Sequence, residues 1–133
     1  MLCPREVTEP ALTDTIRLLR SMRKVRQQLR PSFKVWLTAG DEDVVGKGGA
    51  SLLRGIQKYG SISRAAKELG WSYSFAWLQL RDLEKKLGAP VVLRKRGGEV
   101  GGGAELTELA KALLWKYEAL EKRVERTINR RAR

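Results

Sequence analysis

Two helix-start signals lie close together in the stretch GSISRAAKELGWSYSFAWLQLRDLEKKLG, residues 60–88. Ser61 and Ser72 can each accept a hydrogen bond from an N–H group in the first turn of a helix, where such groups lack partners. Gly70 lies between them and can adopt the left-handed conformation that ends the first helix. The stretch therefore predicts a short helix, a tight turn and a longer helix from Ser72 to Leu87.

The second predicted helix has two unlike sides. At about 100° per residue, one side collects the residues expected to face the core, Tyr73, Ala76, Leu80, Leu83 and Leu87, with Trp77 and Gln79 on its flanks. The opposite side collects Ser74, Phe75, Leu78, Arg81, Asp82 and Lys85. Small side chains at Ala65 and Ala66 let the two helices cross closely, as a helix-turn-helix requires. The N-terminal half of the second helix of such a motif enters the major groove of DNA, so we expect this opposite side to face a duplex.

The segment before the motif predicts a hairpin followed by a helix. Phe33, Val35 and Leu37 alternate with Lys34, Trp36 and Thr38, which is the period of a strand with two unlike faces. GDED, residues 40–43, predicts a turn, and Val44 and Val45 predict a short return strand. Gly48 and Gly49 then open a helix that runs through Tyr59 and is expected to bury Leu52, Leu53 and Ile56.

The segment after the motif predicts a β-wing. VVLRKR (91–96) predicts a strand, GGEVGGG (97–103) a loop and AEL (104–106) a returning strand. Arg94, Lys95 and Arg96 lie where a wing strand would approach the sugar–phosphate backbone, so they can position the domain without reading sequence. The predicted DNA-binding residues are Ser63, Arg64, Lys67, Ser72, Ser74, Phe75, Leu78, Gln79, Arg81, Arg94, Lys95 and Arg96.

Both ends of the chain predict helices. Residues 11–30 form a basic amphipathic pattern, with Leu18, Met22, Val25 and Leu29 at helical spacing. This helix could swap across a dimer or add phosphate contacts. From Thr107 onward, apolar residues recur in a heptad pattern that predicts a long helix with a partner. The expected dimer interface consists of Leu113, Tyr117, Leu120 and Val124.

Charge and residue inventory narrow the class of function. The 133 residues carry 27 Lys and Arg against 15 Asp and Glu, a net charge of +12, which attracts polyanions such as nucleic acid. There is no His and a single Cys, so a Cys/His zinc site, a disulfide within the chain and a His-based catalytic triad are excluded. The acidic residues 41–43 fit a solvated turn, so we expect no enzyme, no metal and no cofactor.

No apolar run approaches the length of about 20 residues that spans a bilayer, and the N-terminus lacks the pattern of a signal peptide. We therefore expect a soluble, cytoplasmic protein that associates with the nucleoid and has no membrane partner.

The blocks GSISRAAKELGWSYSFAW and GGEVGGGAELT resemble the N-terminal DNA-binding domain of the molybdate-responsive ModE-type regulators, and more loosely the LysR-type winged helices. The resemblance spans about Phe33 to Leu120. It implies a dimeric, winged helix-turn-helix transcription regulator. It also implies that Ser72, Ser74, Phe75 and Leu78 face the groove, that Tyr73, Ala76 and Trp77 lock the helix, and that Arg94 to Arg96 flank the wing.

Three departures from the ModE-type pattern bear on function. Ser74, Phe75 and Leu78 are uncharged where family members often carry basic residues, so base readout would use hydroxyls and apolar contacts to thymine methyl groups. Glu99 occupies the wing tip, where Lys is common. We expect the chain to lack the molybdate-binding domain of full-length members, and therefore assign no small-molecule effector.

The sequence thus predicts a mainly α fold with a small β-wing: a winged helix-turn-helix with an additional N-terminal helix and a long C-terminal dimerisation helix. The expected divisions are a basic arm (1–31), the DNA-binding domain (32–106) and the C-terminal helix (107–133). The predicted function is a homodimeric transcription regulator bound to double-stranded DNA. Two alternatives stay open, a sequence-nonspecific architectural DNA-binding protein and a protein-interaction module that docks through Phe75 and Leu78.

Overall fold

A computed structural model describes residues 11–21, 30–95 and 103–131 of the chain. These residues fall into two units, with the boundary between Ser32 and Phe33. The first unit contains helix α1 (Leu12–Ser21). In chain order, the second contains β1 (Leu37–Ala39), β2 (Glu42–Val45), α2 (Lys47–Tyr59), α3 (Ile62–Glu68), α4 (Tyr73–Leu87), β3 (Val92–Lys95), β4 (Gly103–Leu106) and α5 (Glu108–Arg131).

Helix α1 confirms part of the predicted N-terminal helix. The Ala11 carbonyl accepts hydrogen bonds from the N–H groups of Asp14 and Thr15, at 2.9 and 3.1 Å. Asp14 in the first turn and Arg20 in the last turn both suit the helix dipole. The remainder of the predicted helix, with Met22, Val25 and Leu29, lies outside the described residues.

The predicted N-terminal hairpin forms, but its strands are short. β1 and β2 pair antiparallel around Gly40, which has a left-handed φ of 62°, and Ala39 pairs with Glu42. The predictions of a strand over 33–36 and of a four-residue turn over 40–43 are therefore wrong. The register shifts between Leu37 and Thr38, so that Leu37 already pairs with Val45, the last residue of β2. Residues 33–36 therefore have no residue of β2 left to pair with.

Helix α2 begins after Gly46 and ends at Gly60, whose left-handed φ of 66° lets its N–H group reach the Ile56 carbonyl. The predicted burial of Leu52, Leu53 and Ile56 is confirmed, since each is at most 1 % exposed.

The helix-turn-helix forms as the sequence predicts. The Ser61 hydroxyl accepts a hydrogen bond from Arg64 N at 3.2 Å, and the Ser72 hydroxyl accepts one from Phe75 N at 3.1 Å. Gly70 has the predicted left-handed φ, 71°. Between the two helices, Trp71 N donates to the Ala66 carbonyl at 2.9 Å, which closes the turn.

Ala65 of α3 packs closely against α2, a contact that the sequence did not predict. A Cβ atom added to Gly55 would lie 2.9 Å from the Ala65 Cβ and 3.3 Å from its Cα. Ala65 and Ala66 are at most 1 % exposed. The absence of a side chain at Gly55 and the small side chain of Ala65 therefore let α3 lie directly on α2.

The wing is anchored at its base to the helices. β3 and β4 pair antiparallel from Val92–Leu106 to Lys95–Gly103. Ala104 N donates to the Gly60 carbonyl at 2.8 Å, and Thr107 N donates to the Val91 carbonyl at 3.0 Å. The Thr107 hydroxyl caps α5 by accepting from Ala110 N at 3.2 Å, and it also donates to the Pro90 carbonyl at 2.9 Å.

The N-terminal half of α5 packs on its own domain. Ala110, Leu114 and Tyr117 are at most 3 % exposed, and burial raises the pKa of the Tyr117 hydroxyl above its ordinary value. Arg54 of α2 forms an ion pair with Glu118 at 2.8 Å. Tyr117 was expected at a dimer interface, and this expectation is wrong because its side chain is already covered by its own domain. The separate division of residues 107–133 stays a prediction.

We expect Gly55→Ala to destabilise the fold, although alanine is the better helix former by about 1 kcal/mol. The new methyl group would overlap Ala65, and overpacking of this kind costs about 1–3 kcal/mol. Gly48→Ala on the same helix is the matched control, because its Cβ would lie 3.4 Å from the Trp71 ring, at the edge of ordinary contact. Urea unfolding measures both free energies. A Gly55→Ala variant as stable as Gly48→Ala would contradict the tight crossing.

Candidate nucleic-acid interface

One side of α4 is open to solvent. Phe75 is 45 % and Leu78 is 62 % exposed, and the remaining members of this side are also exposed, namely Ser74, Arg81, Asp82 and Lys85. The opposite side packs into the core through Ala76, Leu80 and Leu83, each at most 5 % exposed. The two-sided pattern expected of this helix is therefore present, and we name the open side the outward face of α4.

Two serines at the start of α4 have different tasks. Ser72 is the N-cap, and its hydroxyl oxygen accepts the hydrogen bond from Phe75 N. Ser74 lies in the first turn with an exposed side chain. A hydroxyl both donates and accepts hydrogen bonds, so Ser74 offers both functions to a base edge or a phosphate.

Phe75 is fixed although it is half exposed. Its ring meets the Trp71 ring edge to face, with centroids 4.9 Å apart and planes at 85°. Trp71 in turn packs against the hydrophobic core. The contact holds an apolar surface at the start of the outward face, where it could touch a thymine methyl group.

Tyr73 was expected to face the core, and this expectation is wrong. Its side chain is 46 % exposed, and its hydroxyl oxygen accepts a hydrogen bond from Arg94 Nη2 of β3 at 2.7 Å. The position at the end of the helix explains the difference, because Tyr73 precedes the first core residue of α4, Ala76, and reaches the wing instead. Trp77, predicted on a flank, is half-buried there.

Gln79 lies on the other flank of α4. It lines a cavity of about 180 Å³ against the β1–β2 hairpin, together with Trp36 and Lys86. Lys86 Nζ donates to the Asp43 carbonyl at 2.9 Å and pairs with Asp82 at 3.1 Å. Gln79 is thus half-buried beside the hairpin, and of the outward face only Asp82 lines the same cavity.

The three candidates on α3, Ser63, Arg64 and Lys67, are exposed. The Arg64 guanidinium lies over the Tyr59 ring, 4.9 Å from its centroid, and Lys58 lies 5.2 Å from the same centroid. This ring therefore holds a small basic cluster on the surface of α2 and α3.

The wing candidates fall into three situations. Lys95 Nζ pairs with Glu105 across the two strands at 2.8 Å. The hydrogen bond from this ammonium lowers the pKa of Glu105 below its ordinary value, and the pair raises the pKa of Lys95. Arg94 donates a hydrogen bond to the Tyr73 hydroxyl oxygen. Arg96, like Glu99, lies outside the described residues.

A groove runs between α4 and β3 and brings several candidates together. Its lining includes Trp77, Leu78, Arg81, Lys85 and Arg94. Two guanidinium groups lie close to the Trp77 ring. The Cζ atom of Arg94 is 4.2 Å and that of Arg81 is 5.9 Å from the ring centroid. The sequence signal for this cluster is an aromatic pair at i and i+4, Tyr73 and Trp77. That Arg94 contacts this pair could not be predicted without the fold.

The positions of residues 11–21, 30–95 and 103–131 also bear on metal binding and on membrane spanning. No group of three or more His, Cys, Asp or Glu side chains is placed to hold a metal ion there. In the same part of the chain, no helix has the length and apolar character needed to cross a membrane.

Comparison with curated proteins finds similarity to molybdenum-pterin-binding proteins and to ModE transcriptional regulators. The chain is 45 % identical over 71 residues to the molybdenum-pterin-binding protein MopB of Rhodobacter capsulatus, and the match covers 53 % of this chain and 26 % of that protein. It is 40 % identical over 70 residues to the DNA-binding transcriptional dual regulator ModE of Escherichia coli K12, of which 27 % is covered. The chain thus spans about a quarter of the length of these relatives.

A solved structure with the same fold is the DNA-binding domain of CbnR in complex with DNA. It superposes with a TM-score of 0.52 at 24 % identity and covers 64 % of this chain and 92 % of that domain. Residues 51–111 match the family of bacterial regulatory helix-turn-helix proteins of the LysR type. This segment, which runs from within α2 into α5, is therefore a LysR-type helix-turn-helix domain.

Proposed function

We propose that the protein is a homodimeric transcription regulator that reads DNA with the N-terminal half of α4. Ser74, Phe75 and Leu78 contact base edges in the major groove, and residues of α3 and the wing contact phosphates. Its place in the cell is then on the nucleoid, in the cytoplasm.

The exposed outward face of α4 is the observation that carries this proposal. Ser74, Phe75 and Leu78 are exposed, and the opposite side of the same helix is fixed in the core by the buried residues Ala76 and Leu80. The second helix of a helix-turn-helix enters the major groove. Residues 51–111 match the LysR-type helix-turn-helix family, and the similar CbnR domain was solved in complex with DNA. Phe75 and Leu78 lie three residues apart, so they form one small exposed apolar surface on this face that could contact thymine methyl groups.

Charge supports a DNA partner on both sides of this face. Arg64 and Lys67 are exposed on α3. In the lining of the groove between α4 and β3, three exposed basic residues (Arg81, Lys85 and Arg94) outnumber two acidic residues, Asp82 and Glu84. Phosphate contacts of this kind add affinity for any duplex, and the bases select the sequence.

The length of α5 supports a homodimer. After Tyr117 the helix continues to Arg131, about 20 Å at 1.5 Å per residue. Leu120 and Val124 of the predicted interface lie on this part and remain partly exposed, and Leu113 lies partly exposed where α5 packs on the core. We assign Leu120 and Val124 to the contact with a second copy, and Trp115, which is 73 % exposed, offers a further apolar side chain on the same helix.

Selection of bound duplexes from a random pool tests the sequence specificity. A regulator of this kind enriches a two-fold symmetric site with half-sites about one helical turn apart. The alternative architectural function is favoured by the absence of charge on Ser74, Phe75 and Leu78. It requires instead that random-sequence DNA compete as well as any selected duplex.

We expect Ser74→Glu and Leu78→Glu to abolish specific binding, because either carboxylate would enter the groove between two phosphate backbones. Both side chains are exposed, so the change in unfolding free energy should stay within about 0.5 kcal/mol. Asn129→Glu, at an exposed position near the end of α5, introduces the same charge on a different helix. Fluorescence anisotropy with a selected duplex measures the effect, and an unchanged affinity of both α4 variants would refute the assignment of the groove-facing side.

We expect Glu105→Gln to raise the affinity for every duplex. The substitution removes a negative charge from the wing and releases Lys95 from its 2.8 Å ion pair to contact a phosphate. The slope of log affinity against log salt should steepen by up to about 0.9 for one added contact. Glu125→Gln near the far end of α5 is the control. If the two variants bind equally well, Lys95 does not contact DNA.

We expect Leu120→Ser combined with Val124→Ser to produce monomers, since the apolar contact between two copies of α5 is lost. Sedimentation equilibrium measures the mass, and circular dichroism checks that the helix persists. Lys122→Ser is an exposed polar control on the same helix. A double variant that stays dimeric would place the interface elsewhere.

A further inference from the structure

The Arg94 guanidinium is held at the base of the wing by two aromatic residues of α4. Its Nη2 donates to the Tyr73 hydroxyl oxygen at 2.7 Å, and its Cζ lies 4.2 Å from the centroid of the Trp77 ring. Tyr73 and Trp77 are four residues apart, so they lie one turn apart on the side of α4 that faces the wing. Two independent contacts therefore fix one side chain.

Arg94 differs from Lys95 and Lys86 in the kind of partner it has. Lys95 pairs with Glu105 and Lys86 with Asp82, so each of these ammonium groups is opposed by a carboxylate. The partners recorded for Arg94 in the described part of the chain are a phenol and an indole, and both are neutral. In these contacts Arg94 thus has no carboxylate partner, while its position is fixed.

The remaining N–H groups of this guanidinium suit a phosphate. An arginine has five N–H donors in a rigid planar fork, and Tyr73 accepts from one nitrogen. Such a fork can donate two parallel hydrogen bonds to a phosphate group, which is the reason why arginine is common at phosphate sites. The side chain is exposed, so a ligand can reach these donors.

We propose that Tyr73, Trp77 and Arg94 form one preorganised seat for a backbone phosphate of bound double-stranded DNA. Arg94 contacts the phosphate, and Tyr73 and Trp77 are positioning residues that act through it. The proposal rests on the proposed function. It assigns a DNA-binding role to Tyr73, which was expected only to pack in the core. Because the long side chain is ordered before binding, less conformational entropy is lost when the duplex binds.

The seat makes a specific prediction about salt dependence. Arg94→Ala removes a charge, so it should lower affinity for all duplex sequences alike and flatten the salt slope by about 0.9. Tyr73→Phe keeps the arginine but removes the acceptor that orders it. This variant should lower affinity by about two- to tenfold, the cost of ordering one side chain on binding, and leave the salt slope unchanged.

A double-mutant cycle on the full chain tests the seat. Dissociation constants for a labelled random-sequence duplex are measured at several salt concentrations for the wild type, Tyr73→Phe, Arg94→Ala and the combined variant. Tyr59→Phe is the matched control, because it removes the same hydroxyl group from a ring that also carries a cation, 4.9 Å from Arg64. Thermal unfolding checks that every variant is folded.

If Tyr73 acts through Arg94, Tyr73→Phe weakens binding in the wild-type background and has no effect in the Arg94→Ala background. Tyr59→Phe should bind as the wild type does. Equal effects of Tyr73→Phe in both backgrounds, or no effect in either, would overturn the seat while the wild type still binds DNA. A wild type that binds no duplex at low salt is a different result, since it overturns the proposed function and the seat with it.

Discussion

The contact between Gly55 and Ala65 is the constraint on which the rest of the domain depends. Because neither residue has a side chain beyond Cβ, α3 lies against the backbone of α2, and the short helix is fixed by contact with a longer one. The turn at Gly70 then sets the direction of α4. With Ala76, Leu80 and Leu83 held in the core, α4 can leave only one side to solvent. The outward face of α4 is thus a consequence of how closely two other helices approach.

Features encoded by local chemistry could be predicted from the sequence. The caps at Ser61 and Ser72 and the left-handed Gly70 depend on residues a few positions apart, so reading along the chain was enough to find them. Helical period likewise identified the core side and the open side of α4. Features that depend on where an element meets the rest of the fold were harder to predict. The helical period shows which side of a helix is apolar, but it does not show over what length of the helix that side is covered.

Tyr73 and Tyr117 illustrate this limit in opposite directions. Both fit an apolar stripe, yet Tyr73 lies beyond the end of the core and reaches the wing, whereas Tyr117 lies where α5 is still covered by its own domain. The charges on the wing show the same limit. The pairing of Lys95 with Glu105 follows from the register of two strands separated by a glycine-rich loop, and the attachment of Arg94 to Tyr73 joins residues 21 positions apart.

The hydrogen bonds at the root of the wing have a consequence for how such a domain can evolve. Gly60 holds β4, and Pro90 and Val91 hold Thr107, so the two strands are secured to the helices on both sides of the segment 96–102. These bonds join backbone atoms and the Thr107 hydroxyl at the base of the wing, so they do not depend on the exposed side chains of β3 and β4. Exposed residues of the two strands can therefore change among related proteins while the assembly of the domain is kept.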